Sequence, residues 1–349
     1  MTSDSLNIAL DAMGGDRAPG MVVKGANIAR QRFPNVKFLF FGDETRVAPL
    51  LRRYGALGKT SEVRHTDKVV ASEDRPSTAL RAGRGSSMRL AIDAVQVGEA
   101  AGIVSAGNTG ALMAMAKFVL RTLPGIDRPA IASFFPTLRG ESVMLDLGAN
   151  LSCDAENLVQ FAVMGNVFAR TVLGILRPTV GLLNVGSEEV KGHEAVREAA
   201  ALLKSTPLPG EFHGFVEGDD IARGTVDVIV TDGFTGNVAL KTLEGTTKLY
   251  AEFLRRSFKS SMVASLGYLL ARPALNALRV RTDPRRYNGA IFLGLNGVAV
   301  KSHGGTDALG FANAIGVAVD MIMQKSLDKI REDFAQFAGN ASSAQVVGL

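Results

Sequence analysis

The sequence predicts a three-layer α/β/α fold on a mainly parallel sheet with helices on both faces. Two observations carry this. Short β-branched runs alternate with helical stretches along the chain, the pattern of parallel strands joined by crossover helices. Each run also ends in a polar, glycine-rich loop that leads into the next helix. In such sheets ligands bind beyond the carboxyl ends of the strands. The loops are therefore expected to gather on one side and line one cleft.

The elements follow in chain order. Residues 6–10 form a strand leading into DAMGGDRAPG, and 102–105 a strand leading into AGNTG and a helix over 111–120. Residues 142–145 lead into DLGAN and a helix over 156–168; 179–183 lead into NVGSEEVKG and a helix to about 203. In that helix Val196, Ala199, Ala200 and Leu203 share one face, while Glu194, Arg197, Glu198 and Lys204 lie elsewhere. Residues 227–230 are a short strand before TDGFTGN and a helix beyond Gly236. Residues 297–300 lead into KSHGGTDALG and one long helix to about 337. We expect a single domain over residues 1–338, with linker-like stretches at 122–129 and 205–210 and a small, polar, frayed tail at 339–349.

Composition narrows the function. Of 349 residues, 46% are hydrophobic and 38 are glycine, which fits a buried fold with many tight turns. Trp is absent and aromatics are few, so a base-stacking platform for nucleic acid is not expected. Cys153 is the one cysteine, which excludes an intramolecular disulfide. The start reads as neither signal peptide nor span, so a cytoplasmic protein is expected. The net charge is +5, but residues 253–286 alone carry eight basic residues against Asp283. The basic character is a local patch suited to one anionic partner surface.

Glycine lets a backbone approach an anion, and N–H groups at a helix start bind it. Several such loops in one cleft suit a phosphate-type ligand. No GxxxxGK[ST] occurs, and no well-placed GxGxxG with a ribose-binding acid, so neither a Walker site nor a dinucleotide cofactor is supported.

At these loops the chain becomes recognisable. IALDAMGGDRAP, VSAGNTGALMA, DLGAN, LLNVGSEEVKG, VIVTDGFTGNVALKTLEG and HGGTDALGFANAI occur in this order over nearly its whole length. Together they resemble the phosphate acyltransferase family of bacterial phospholipid synthesis, the acyl-carrier-protein:phosphate acyltransferases. The resemblance implies a fold similar to phosphotransacetylases and isocitrate dehydrogenase-like enzymes. It implies a homodimer at the cytoplasmic face of the inner membrane, with no cofactor or metal. It implies transfer of a long-chain acyl group from acyl carrier protein to inorganic phosphate. The acyl phosphate would pass to a membrane acyltransferase that acylates glycerol 3-phosphate. Ser187, Phe215, Gly305 and Thr306 depart from the family pattern, Ser187 keeping the hydroxyl of the usual Thr.

Phosphate is anionic at neutral pH and is already a nucleophile. The protein must bind it, place it against the thioester carbonyl and stabilise the developing oxyanion, with no acyl-enzyme required. For phosphate binding we favour the backbone at Gly14 and Gly15, the loop at Asn108 and Thr109, and the cations Lys191 and Lys301. Asp11, Asp16, Asp146, Asn150, Asn184, Glu188 and Gly304 complete the candidate binding set. The alternative for Lys191 is a helix-surface ion pair with Glu188 or Glu189. His303 could donate to the oxyanion or protonate the departing sulfur; otherwise it satisfies loop backbone. Asp232 and Asn237 in TDGFTGN are further catalytic candidates, although Asp at strand ends also serves turns. Cys153 could sit at a helix start that lowers its pKa, but a small structural residue is the simpler reading.

Residues 260–281 place Val263, Leu266 and Leu270 on one helical face with Leu269 adjacent, and Arg272-Pro273 interrupts the pattern. With Arg255, Arg256, Lys259, Arg272 and Arg279 nearby, this stretch fits a hairpin on an anionic membrane surface. It also fits docking of acidic acyl carrier protein, or a core or dimer-interface helix. No nucleic-acid reader motif accompanies the patch. Rival functions are an acyl-coenzyme A phosphotransacylase, a nicotinamide-dependent dehydrogenase, and a non-catalytic membrane-surface adaptor that binds acyl carrier protein.

Overall fold

The computed structural model describes residues 6–205 and 208–347. The strands are β1 (Leu6–Asp11), β2 (Val36–Gly42), β3 (Ser61–His65), β4 (Gly102–Ser105), β5 (Ala130–Pro136), β6 (Glu141–Leu145), β7 (Thr179–Leu183), β8 (Glu211–Val216), β9 (Val228–Val230), β10 (Ala290–Leu293) and β11 (Val298–Lys301). The helices are α1 (Gly20–Arg32), α2 (Glu44–Arg52), α3 (Gly55–Gly58), α4 (Pro76–Ala82), α5 (Ser87–Gln96), α6 (Thr109–Leu120), α7 (Ala155–Phe168), α8 (Glu194–Ser205), α9 (Gly218–Arg223), α10 (Gly233–Phe258), α11 (Met262–Arg281), α12 (Ala308–Met323) and α13 (Ser326–Val347).

Among the described residues, eleven strands join one sheet in the order β3-β2-β1-β4-β11-β10-β5-β6-β9-β7-β8. Its strands are apolar on both sides because both faces are covered. Ile8 and Leu10 of β1 pack into a core with α1, α7, α12 and α13, while Ala9 between them faces a second core with α5 and α6. This is the expected α/β/α sandwich. The face of α8 read from spacing is the buried one: Ala199, Ala200 and Leu203 are all inside.

Strand direction corrects one expectation. β1 to β4 and β11 run parallel to one another. β10 is antiparallel to both β11 and β5, and β5 is antiparallel to β6. β6, β9, β7 and β8 are again mutually parallel, but inverted relative to β1. The reversal comes from the tight β5–β6 turn, where Thr137 N–H donates to Gly140 O at 2.8 Å and Gly140 takes φ +144. The glycine-rich loops therefore do not line one cleft. Those after β1, β4 and β11 open at one edge of the sheet, and those after β6, β7 and β9 at the opposite edge.

Other expectations also shift. In the 122–129 stretch Thr122 bridges Leu295, and the strands before and after it belong to one sheet. Of residues 205–210, positions 206 and 207 lie outside the described residues. The long C-terminal helix is two helices, broken where Lys325 adopts φ +52. α13 runs to Val347, with 348 and 349 outside the described residues. Pro273 does not interrupt α11, which runs on through it to Arg281. The carbonyl four residues before it loses its N–H partner, and on so exposed a helix water can replace that bond.

Candidate active site

The first cluster forms where β1, β4 and β11, adjacent in the sheet, end together. Asp11 closes β1 and is buried. It accepts hydrogen bonds from Ser87 Oγ at 2.7 Å, Ser105 Oγ at 2.6 Å and Met13 N–H at 3.3 Å. Burial pushes its carboxyl up, and these donors pull it back. Asp11 is thus a pin between β1, β4 and the start of α5. Beyond it the loops touch through backbone. A Cβ at Gly14 would stand 2.7 Å from Gly107 N, and Gly15 takes φ +99, so this crossing requires glycine. Asp16 N–H donates to Gly304 O at 3.1 Å, and Ser302 N–H to Ser105 O at 2.8 Å.

α6 starts in this cluster. Asn108 caps it, accepting from Ala111 N–H at 3.0 Å, while its Nδ2 donates to the carbonyls of Ser72 and Asp74, both at 2.9 Å. The Asn108 side chain is therefore engaged in holding the 71–74 segment. Thr109 stands exposed at the first helical position, where the helix dipole favours an anion.

Lys301, at the end of β11, donates through Nζ to Ser302 O. Burial pushes its ammonium down to about 8, against the attraction of Asp11 and Asp16. The His303 ring follows. Gly305 N–H donates to His303 Nδ1 at 3.1 Å, so the neutral ring carries its proton on Nε2. Desolvation, then the Lys301 charge, hold the His303 pKa below its ordinary value. At neutral pH the ring is uncharged and offers an Nε2–H.

α10 contributes residues that the motif reading passed over. Lys241, Glu244 and Lys248 all act electrostatically on His303, and Lys241 on Lys301. Lys241 Nζ pairs with Glu244 Oε2 at 2.9 Å. Their spacing places them on one helical face, which is the signal that would have found them.

The second cluster lies at the other edge. Asp146, buried after β6, accepts from the N–H groups of Ile131 (2.9 Å), Gly148 (3.2 Å), Ala149 (3.0 Å) and Asn150 (2.7 Å), and from Asn150 Nδ2 (2.9 Å). Asn150 also donates to Pro129 O, and its own carbonyl accepts from Gly233 N–H. Asp232 caps α10 through Thr235 N–H at 2.9 Å and binds Thr235 Oγ1 at 2.8 Å. These carboxylates do turn and cap work. Asn237 is exposed one turn into α10, beside Gly148. After β7, Asn184 Nδ2 donates to Lys191 O at 3.1 Å and closes that loop. Glu188 and Lys191 are exposed, and the Glu189 carboxylate pairs with Lys204 rather than Lys191.

The candidate residues thus fall into two groups. Lys301, His303, Gly304, Gly14, Gly15, Asp16, Asn108 and Thr109 come together. Lys191, Asp232, Asn237, Asp146, Asn150, Asn184 and Glu188 do not join them. β7 and β11 stand five strand positions apart, roughly 24 Å at ~4.8 Å per strand, and end on opposite edges. Within one chain, Lys191 and Lys301 do not share a phosphate. Cys153 is no activated thiol either: burial, and then Asp146 and Asp232, push it up to about 12. Asp154, not Cys153, caps α7.

The charged helical hairpin leaves the body beyond this point. α11 has no buried residue, with Val263, Leu266 and Leu270 at 82%, 61% and 78% exposure. The core-helix alternative is thereby overturned for the single chain. Phe258 and Tyr268 hold its two arms edge to face at 5.5 Å. Arg255 and Arg256 both pair with Glu252, which moderates the patch.

Comparison with known proteins decides the family. The model for the family described as "Fatty acid synthesis protein" matches residues 6–329. A phosphate acyltransferase of Rhodospirillum centenum is 70% identical over 98% of this chain and 96% of its own length. Another, from Rhodospirillum rubrum, is 64% identical over 96% of both. The chain belongs to the phosphate acyltransferase family. It is accordingly an enzyme, an acyltransferase of fatty acid synthesis. The fold is shared more widely. A phosphotransacetylase of Staphylococcus aureus superposes with TM-score 0.59 at 17% identity, covering 92% of this chain and 95% of its own. A branched-chain phosphotransacylase of Enterococcus faecalis gives TM-score 0.60 at 12% identity, covering 91% and 99%.

Proposed function

We propose that this phosphate acyltransferase takes its acyl group from the thioester of acyl carrier protein, and that transfer occurs at the Lys301–His303 cluster. The observation that carries the site is the pairing of a half-buried lysine with a neutral histidine beside three interlocked glycine loops. Charged Lys301 and the first turn of α6 hold phosphate against the loop backbone. A phosphate oxygen attacks the thioester carbonyl, and His303 Nε2–H donates to the oxyanion that forms. Collapse expels the thiolate and leaves the acyl phosphate. Charge stabilisation by Nε2–H fits a ring that is neutral at working pH better than proton delivery to sulfur does.

The projecting hairpin supports the partner assignments. Its exposed aliphatic face with Lys259, Arg272 and Arg279 suits an acidic carrier protein or an anionic membrane surface, and a second copy of the chain along α10 and α11. On this reading the enzyme works at the inner membrane face and passes acyl phosphate to a membrane acyltransferase that acylates glycerol 3-phosphate. Among the described residues no helix is long and apolar enough to cross a membrane.

The test is to trap acyl phosphate with hydroxylamine from long-chain acyl carrier protein and phosphate, with acyl-coenzyme A in parallel. Phosphate-dependent product from the carrier protein is expected, with a loss of about 100-fold or more in His303→Ala, the order seen when one oxyanion donor is removed. Product from acyl-coenzyme A alone overturns the donor assignment; undiminished turnover in both Lys301→Ala and His303→Ala overturns the site.

A further inference from the structure

The loop that carries His303 is fastened from a direction that the transfer chemistry does not use. Between α11 and β10 the chain crosses the root of the projecting hairpin, and there Asn288 commits its whole amide to the His303 loop and the helix behind it. Asn288 Oδ1 accepts the backbone N–H of His303 at 2.9 Å. Its Nδ2 donates to Ser302 Oγ at 2.8 Å and to Gly310 O at 2.7 Å. Three residues earlier, Arg285 Nη1 donates to Asp307 Oδ2 at 2.9 Å, while Asp307 Oδ1 caps α12. Asn313 of α12 returns a bond to Arg285 O at 2.7 Å. The loop between Ser302 and Asp307 is therefore held at both ends by the hairpin root.

A hydrogen bond to the N–H of a residue restrains its backbone, and the backbone limits the rotamers that can aim its side chain. We infer that Asn288 is a positioning residue for His303, setting where the imidazole stands relative to Lys301 and making the catalytic loop an extension of the hairpin root. The inference rests on the proposal that His303 acts in the transfer. The groups facing the ring are Lys301 on β11, Lys241, Glu244 and Lys248 on α10, and Asp16 beside Gly305. The ring is already open to solvent on one side, and release of the loop would carry it away from Lys301 and its neighbours.

Asn288→Ala removes all three bonds, and two readouts follow. The first is the NMR titration of the His303 ring, identified by its loss in His303→Ala. In Asn288→Ala its midpoint should rise toward the ordinary histidine value, a shift that mere loss of stability would not produce in folded protein. The second is kinetic: kcat should fall about tenfold to 100-fold, as for ~1 Å misplacement of a catalytic group, with phosphate KM within about threefold. Asn288→Asp keeps the acceptor for His303 N–H and should retain kcat to within about fivefold, and it serves if the alanine variant does not fold. An unmoved His303 titration in folded Asn288→Ala overturns the inference, as does a loss in folded Asn288→Asp as deep as that of His303→Ala. Wild-type turnover in His303→Ala overturns the underlying proposal instead, and the titration still decides the positioning.

Discussion

Lys301 sits where a charge is costly, and that cost has a measurable signature. Its ammonium is pushed down to about 8 in the folded protein, while the unfolded chain keeps the ordinary value of 10.5. Between those values the unfolded chain binds a proton that the folded one has released, so stability rises with pH across the window. Below about 8 the half-buried charge opposes folding in full. Lys301→Met should therefore raise Tm at about pH 7, and its advantage should shrink at about pH 10; an advantage equal at both would contradict the buried charge. Phosphate needs the charged form, so phosphate KM should climb above about pH 8 in the wild type. A KM that stays flat there would remove Lys301 from phosphate binding. On the proposed function, the residue that weakens the fold is also the one that binds phosphate, a trade between stability and activity.

Two aspartates illustrate how elements use similar residues differently. Asp232 caps α10 at an exposed surface, and its replacement by Ala should cost about 1 kcal/mol of stability, the ordinary value of an N-cap. Asp146 receives four backbone N–H groups in a buried turn. Asp146→Ala leaves those donors unpaired and should cost at least about 3 kcal/mol, several times the Asp232 change. Denaturant unfolding of both variants checks the order, and equal losses would contradict it. α10 connects the two clusters. It starts at the β6–β9 edge with Asp232 and brings Lys241 and Glu244 to the Lys301–His303 edge, so one rigid rod ties the two loop clusters together.

At the scale of the whole molecule the hairpin stands apart. α11 contributes nothing to the core of the single chain, so its surface changes should leave monomer stability within about 0.5 kcal/mol. Leu266→Glu with Leu270→Glu should reduce flotation with anionic vesicles and spare turnover in solution. Unchanged flotation with a collapsed oligomer would assign this face to a second copy of the chain instead. The hairpin root, through Arg285 and Asn288, is where the hairpin meets the His303 loop.

The sequence by itself determined the layers, the family and the loops. Alternation of apolar runs with amphipathic stretches needs only local periodicity, and it located β1, β4, β6, β7, β9 and β11 with the helices that follow most of them. The segments around Gly14, Asn108 and His303 were legible because glycine and polar residues at strand ends have few other uses. Strand direction was not legible. β5 and β10 carry no loop motif, and the local signs of reversal are two short turns, TLRG between β5 and β6 and GLNG between β10 and β11. Which loops meet depends on pairings between strands far apart in the chain, and three successive antiparallel pairings in the middle of the sheet divided one expected cleft into two clusters. Tertiary structure alone also decided the ionisation that matters. The depressed ammonium of Lys301 and the raised thiol of Cys153 come from burial and from neighbours brought in by other elements, quantities that no local spacing encodes.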